Sequence, residues 1–88
     1  MKQSFTANME LFDGKLGWHD ISVPSKLSKP LKYMADRGLI AINATVGESS
    51  WPTSMLPMGD GTHFIALPAK VRKKEGLVLG KSVKLSFE

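Results

Sequence analysis

Apolar and polar residues alternate almost from the start of the chain. Phe5, Ala7, Met9 and Leu11 interleave with Thr6, Asn8 and Glu10, the period of two that a half-buried strand needs. This predicts a strand over 3–11. Asp13–Gly14 and Gly17 punctuate a turn, and a second strand follows over about 18–23 with His19, Ile21 and Val23 on one face. Pro24 and Ser25 suit a helix start, because proline has no N–H to lose there and serine can cap. Pro30 interrupts that helix, so the segment to Arg37 is helical only in part, and Gly38 ends it. A third strand is expected over 39–46, with Ile40, Ile42, Ala44 and Val46 on one face. A short fourth covers 50–56, where Pro52 requires an edge or bulged position. Pro57 to Gly61 is a loop, and 62–67 a fifth strand. A short helix over 68–75 ends at Gly76, placed for a left-handed stop. After the Gly80–Lys81 turn, Val83, Leu85 and Phe87 alternate with Ser82, Lys84 and Ser86 in a last strand.

The order strand, strand, helix, strand occurs twice, over about 3–46 and 49–87. Gly17-Trp-His-Asp-Ile-Ser-Val-Pro24 lies over Gly61-Thr-His-Phe-Ile-Ala-Leu-Pro68 at an offset of 44 residues. Lys26, Leu27 and Lys29 then fall on Lys70, Val71 and Lys73. After a slip of one residue, Ile40, Ile42 and Ala44 fall on Val83, Leu85 and Phe87. An internal duplication is the better reading of these coincidences. Each half alone exposes one hydrophobic sheet face. Two halves about a pseudo-twofold axis close a barrel and cover its edges. The expected fold is one mainly β domain, a small double-split β-barrel of about six strands with short capping helices.

Composition narrows the classes. Eighty-eight residues without cysteine exclude a disulfide framework, a thiolate zinc site and a cysteine nucleophile. The start of the chain shows no secretory signal pattern, and no apolar run approaches the roughly 20 residues of a spanning helix. A cytoplasmic location is expected. The formal charge of +4 is unevenly spread: residues 1–69 balance six basic against six acidic side chains. Lys70, Arg72, Lys73, Lys74, Lys81 and Lys84 face only Glu75 in the segment 70–84.

The run from Phe64 through Ile65-Ala-Leu-Pro68, Val71-Arg72, Gly76 and Gly80 to Leu85 resembles the swapped-hairpin module of AbrB- and MazE-type regulators, which implies DNA binding by a dimer of such modules. Over nearly the whole chain the sequence is more similar to a bacterial and archaeal family of small split-barrel proteins of unknown function, sometimes fused to a YdeI/OmpD-associated domain. That likeness rests on Trp18…Val23-Pro24, Met58-Gly-Asp-Gly-Thr-His-Phe-Ile-Ala-Leu-Pro68, Val71-Arg-Lys-Lys74 and Gly76…Gly80. It implies a double-split barrel and no assigned activity. Two positions depart from the DNA-binding relatives. Gly80-Lys81 replaces their Gly-Asp, and Gly59-Asp-Gly-Thr-His63 holds an acid where they carry arginines.

The candidate chemistry is that of binding. Lys70, Arg72, Lys73, Lys74, Lys81 and Lys84 form a basic set able to meet phosphates with a salt-dependent affinity. Read blandly, they are a solvated face favoured by a helix dipole. Trp51, Gly59, Asp60, Gly61 and His63 make up a candidate ligand loop, although the glycines also serve a tight turn. The loop lacks a phosphate-loop signature. Trp18 and Trp51 are candidate stacking platforms or buried anchors. His19 and His63 occupy equivalent positions, yet two histidines without a third ligand make a poor metal site. No metal or cofactor is expected. The sequence holds no Ser-His-Asp arrangement or nucleotide fingerprint, so an enzyme is not expected. The expected protein is a monomeric, non-catalytic binding domain of unassigned role. Nucleic acid is the most nameable partner, and a protein partner or small ligand the alternative.

Overall fold

Met9 decides how the first predicted strand is used. The computed structural model describes residues 2–11, 19–34, 38–58 and 61–88, with the backbone alone for 32–34. The segment read as one strand is two: β1, Gln3–Asn8, and β2, Glu10–Leu11. Phe5 and Met9 point into the core and Ala7 is half-buried, as the alternation requires, but Leu11 is 55% exposed. At Met9 the chain leaves the edge of one strand and turns to another. Its N–H still donates to the Lys81 carbonyl (3.0 Å), and its own carbonyl accepts from Gly80 N–H (2.9 Å).

The other strands are β3 (His19–Val23), β4 (Ile40–Val46), β5 (Ser49–Pro57), β6 (His63–Ala66) and β7 (Ser82–Phe87). The helices are α1 (Ser25–Ser28), which continues as a 3-10 stretch over Lys29–Met34, and α2 (Ala69–Glu75). Pro30 therefore tightens the helix and does not abolish it. The strand order is β1-β7-β4-β5-β6-β3-β2, every pair antiparallel. Since β2 prolongs β1 and pairs with β3, the sheet returns nearly to its starting strand. The result is a small, almost closed seven-stranded barrel. The seventh strand, against about six expected, is the break at Met9.

The inward row contains Ile21, Ile40, Met55, Ile65 and Leu85, all fully buried, with Val46, Val83 and Phe87 beside them. β4 shows the cleanest alternation, with Ile40, Ile42, Ala44 and Val46 all buried. Phe5 meets Phe87 edge-on at a centroid distance of 6.3 Å, a favourable aromatic geometry. The Cα radius of gyration is 12.2 Å, the value of about 12 Å expected for a compact chain of this length.

β5 spans nine residues, longer than its pattern predicted, because Pro52 is harmless where it stands. Asn43 lies opposite Pro52, and the Asn43 N–H and carbonyl are both bonded to Glu88 on the other side. Asn43 and Pro52 are thus a non-hydrogen-bonded pair, and the proline nitrogen faces away from β4. On that far side β6 pairs with β5 only at Leu56 and Pro57. Pro52 is an edge residue, as expected.

Candidate functional site

The basic segment is built around α2. Pro68 (φ −62°) precedes it, and its missing N–H costs nothing there. Val71 is the buried anchor of the helix. Gly76 (φ +64°) closes it. Leu77 N–H donates to the Arg72 carbonyl and Gly76 N–H to the Lys73 carbonyl, the pair of bonds that makes a Schellman stop. Arg72, Lys73 and Lys74 fall in the last turn, where the helix dipole favours cations.

The six basic candidates stand on α2, on β7 and in the turn before β7. Arg72 Nε donates to the Leu67 carbonyl at 3.0 Å and ties the helix to the end of β6. Its first task is structural. Lys70, Lys73 and Lys74 are exposed on α2. Lys84 is exposed on β7 opposite Thr6, and Lys81 precedes β7 beside Met9.

The ligand-loop candidates also separate. Gly59 and Asp60, like Trp18, Asp13–Gly14 and Gly17, lie outside the described residues. Gly61 (φ +96°) and His63 sit at the β5–β6 connection, where Pro57 opposes His63. Trp51 is six residues back along β5, about 20 Å at 3.3 Å per residue. The equivalent histidines stay apart too. Val23 opposes His63 and the His19 carbonyl accepts from Leu67, so the two occupy opposite ends of the β3–β6 ladder, about 13 Å apart along the strand. His63 is buried and His19 half-buried, each with an Nδ1 lacking a hydrogen-bond partner among the described residues. No three His, Asp or Glu side chains among the described residues are placed to hold a metal ion.

What the fold does bring together is the start of β5 with α2. At the tight turn of Gly47 (φ +59°) and Glu48 the chain passes from β4 to β5. The buried Ser49 hydroxyl donates to Glu75 Oε2 at 2.7 Å, which fastens the last turn of α2 to β5. Beside this bond lies a half-open groove of about 310 Å³ lined by Glu48, Ser49, Ser50, Trp51, Lys70, Val71 and Lys74. The indole is half-buried, packs against the core and keeps its Nε1 buried without an acceptor among the described residues. It stands on the inward face across from Ala44, a side chain small enough to leave it room. Lys70 and Lys74, one turn apart, share a helix face.

Glu48, Ser49 and Ser50 were not legible as site residues. The Ser49–Glu75 bond spans 26 positions, and no local pattern announces such a contact. Glu75 read as a mere dilution of positive charge, but it is the clasp.

A carboxylate pair stands where β2 meets the start of β3. Asp20 is buried and stands across from Glu10. Burial raises the Asp20 carboxyl above the usual 3.8, Glu10 adds to the rise, and His19 opposes it.

The chain belongs to the DUF1905 family. The match spans residues 5–87 and carries the description "domain of unknown function", so β1 to β7 lie within it, save the first residues of β1. No curated protein matches the chain. No helix among the described residues is long and apolar enough to cross a membrane.

Proposed function

We propose that this DUF1905 domain is a non-catalytic binding module that meets nucleic acid through the lysine-bearing face of α2. The observation that carries the reading is the disposition of charge. Lys70, Lys73 and Lys74 are exposed, whereas Glu75, the one acid in the segment 70–84, is turned to Ser49. The cations therefore face solvent without an acid from their own segment between them. Such a face attracts phosphates by releasing counterions. The relation to AbrB- and MazE-type regulators expected from the second half belongs to this proposal, as does action in the cytoplasm. Arg72 contributes less than its sequence position suggests, because its Nε is bonded to Leu67.

The test is an amide-shift titration with short DNA at low and moderate salt, repeated on the Lys70→Ala/Lys73→Ala/Lys74→Ala variant. Shifts centred on α2 that fade with salt and vanish in the triple variant are expected. Each lost phosphate contact lowers the salt slope by about 0.7 to 0.9. Absence of shifts at low salt overturns the reading. Binding unchanged in the triple variant removes the α2 face as the site, whereas absence of binding turns the search to the second reading, a small-ligand or protein-interaction module. The half-open groove beside Trp51 supports that alternative.

A further inference from the structure

The groove between β5 and α2 has polarity as well as shape. Its helix wall carries Lys70 and Lys74, and its strand wall carries Glu48 and Trp51. A bound group with one anionic side and one flat apolar side is oriented by that arrangement. Phosphate goes to the lysines and is repelled from Glu48, while a planar ring goes to the indole. A nucleotide unit has this division of character.

Single-stranded nucleic acid presents such units with their bases free. Base stacking on an aromatic side chain beside a basic track is the usual physics of single-strand recognition. A duplex hides its base faces, and a groove of about 310 Å³ is far too small to admit one. The ring is held by packing against the core and is half-buried, so the part that lines the groove is a fixed apolar surface for a base.

We infer that the groove takes one unit of single-stranded nucleic acid, its base against Trp51 and its phosphates along Lys70 and Lys74. This rests on the nucleic-acid reading above and makes it specific: the domain prefers a single strand over a duplex. A β-strand partner added to β5 at Pro52 is disfavoured, because proline offers no N–H there.

The test uses the full chain labelled with ¹⁵N, reading the Trp51 indole N–H signal and the α2 amides. The ligands are a ten-residue oligothymidylate, a duplex of equal length, thymidine monophosphate and polyglutamate. The expected result is a shift of the Trp51 indole signal with oligothymidylate and weaker binding of the duplex. Trp51→Ala should lower oligothymidylate affinity about tenfold or more, and Trp51→Phe, which keeps a ring and the packing, should retain most of it. If the lysine variant loses DNA while Trp51→Ala and Trp51→Phe bind as wild type, the groove inference fails and the nucleic-acid reading stands. If neither DNA binds, both fail. Thymidine monophosphate binding as tightly as the oligomer, or polyglutamate moving the indole signal equally, also overturns the single-strand assignment.

Discussion

At the residue scale, two sites show how a neighbour sets the meaning of a side chain. Asp20 is an ordinary acid in the sequence, but burial and the facing Glu10 make its charged form costly. The folded state therefore binds the proton more tightly than the unfolded chain. Its contribution to stability is most favourable below the ordinary aspartate value of 3.8 and declines as pH rises from there through the raised folded value. Asp20→Asn should flatten the stability–pH curve over that acid window and leave the Tm at pH 7 equal to or above wild type. A lower Tm at pH 7 would show that the carboxylate is used. Gly47 is the second site. It holds φ +59°, and a Cβ there meets the Glu75 carboxylate. Gly47→Ala should cost the roughly 1–2 kcal/mol of left-handed backbone strain plus the Ser49–Glu75 bond that the displaced carboxylate gives up. In the Glu75→Ala background the added cost should fall back to that range, as urea denaturation of the four proteins in the cycle can measure.

At the element scale, legibility followed locality. β4 and β7 were readable because their alternation is uninterrupted and one face is wholly buried. The end of α2 was readable because only a residue tolerant of positive φ suits the stop after Glu75. The break of the first strand at Met9 was not readable. The alternation runs on to Leu11, and only the geometry of closing the sheet turns the last two residues towards β3. The edge role of Pro52 follows from proline chemistry and was legible. Pro52→Val should supply an N–H to the open side of β5 and promote concentration-dependent self-association in sedimentation, with a change in monomer stability of about 0.5 kcal/mol or less for an exposed position. Unchanged sedimentation would show that another feature guards this edge.

At the scale of the whole molecule, the two halves are interleaved. Among the described residues, four of the six strand pairings, β1–β7, β3–β6, β4–β5 and β4–β7, join a strand of residues 3–46 to one of 49–87. Equivalent residues also meet: Ile21 opposes Ile65 and Ala44 opposes Phe87, where a pseudo-twofold axis would pass. We take this register as support for the internal duplication. Fragments 1–47 and 48–88 should each give a collapsed amide spectrum alone and a dispersed one when mixed. A dispersed spectrum from either fragment alone would contradict the interleaving. The same arrangement is why we propose a monomer, since each half already has its partner in the chain. A stable dimer at micromolar concentration would overturn that.

The sequence by itself determined the β class, most element positions, the inward rows, the helix stop and the concentration of positive charge after residue 69. These are local properties, carried by periodicity, proline and glycine chemistry, and composition. Only the tertiary structure decided which candidates share a site. It set Trp51 beside Lys70 and Lys74, moved it away from Gly61 and His63, parted the histidines and tied Glu75 to Ser49. Those relations depend on strand register and barrel closure between segments distant in the chain. No residue's identity reveals which strand will lie opposite it.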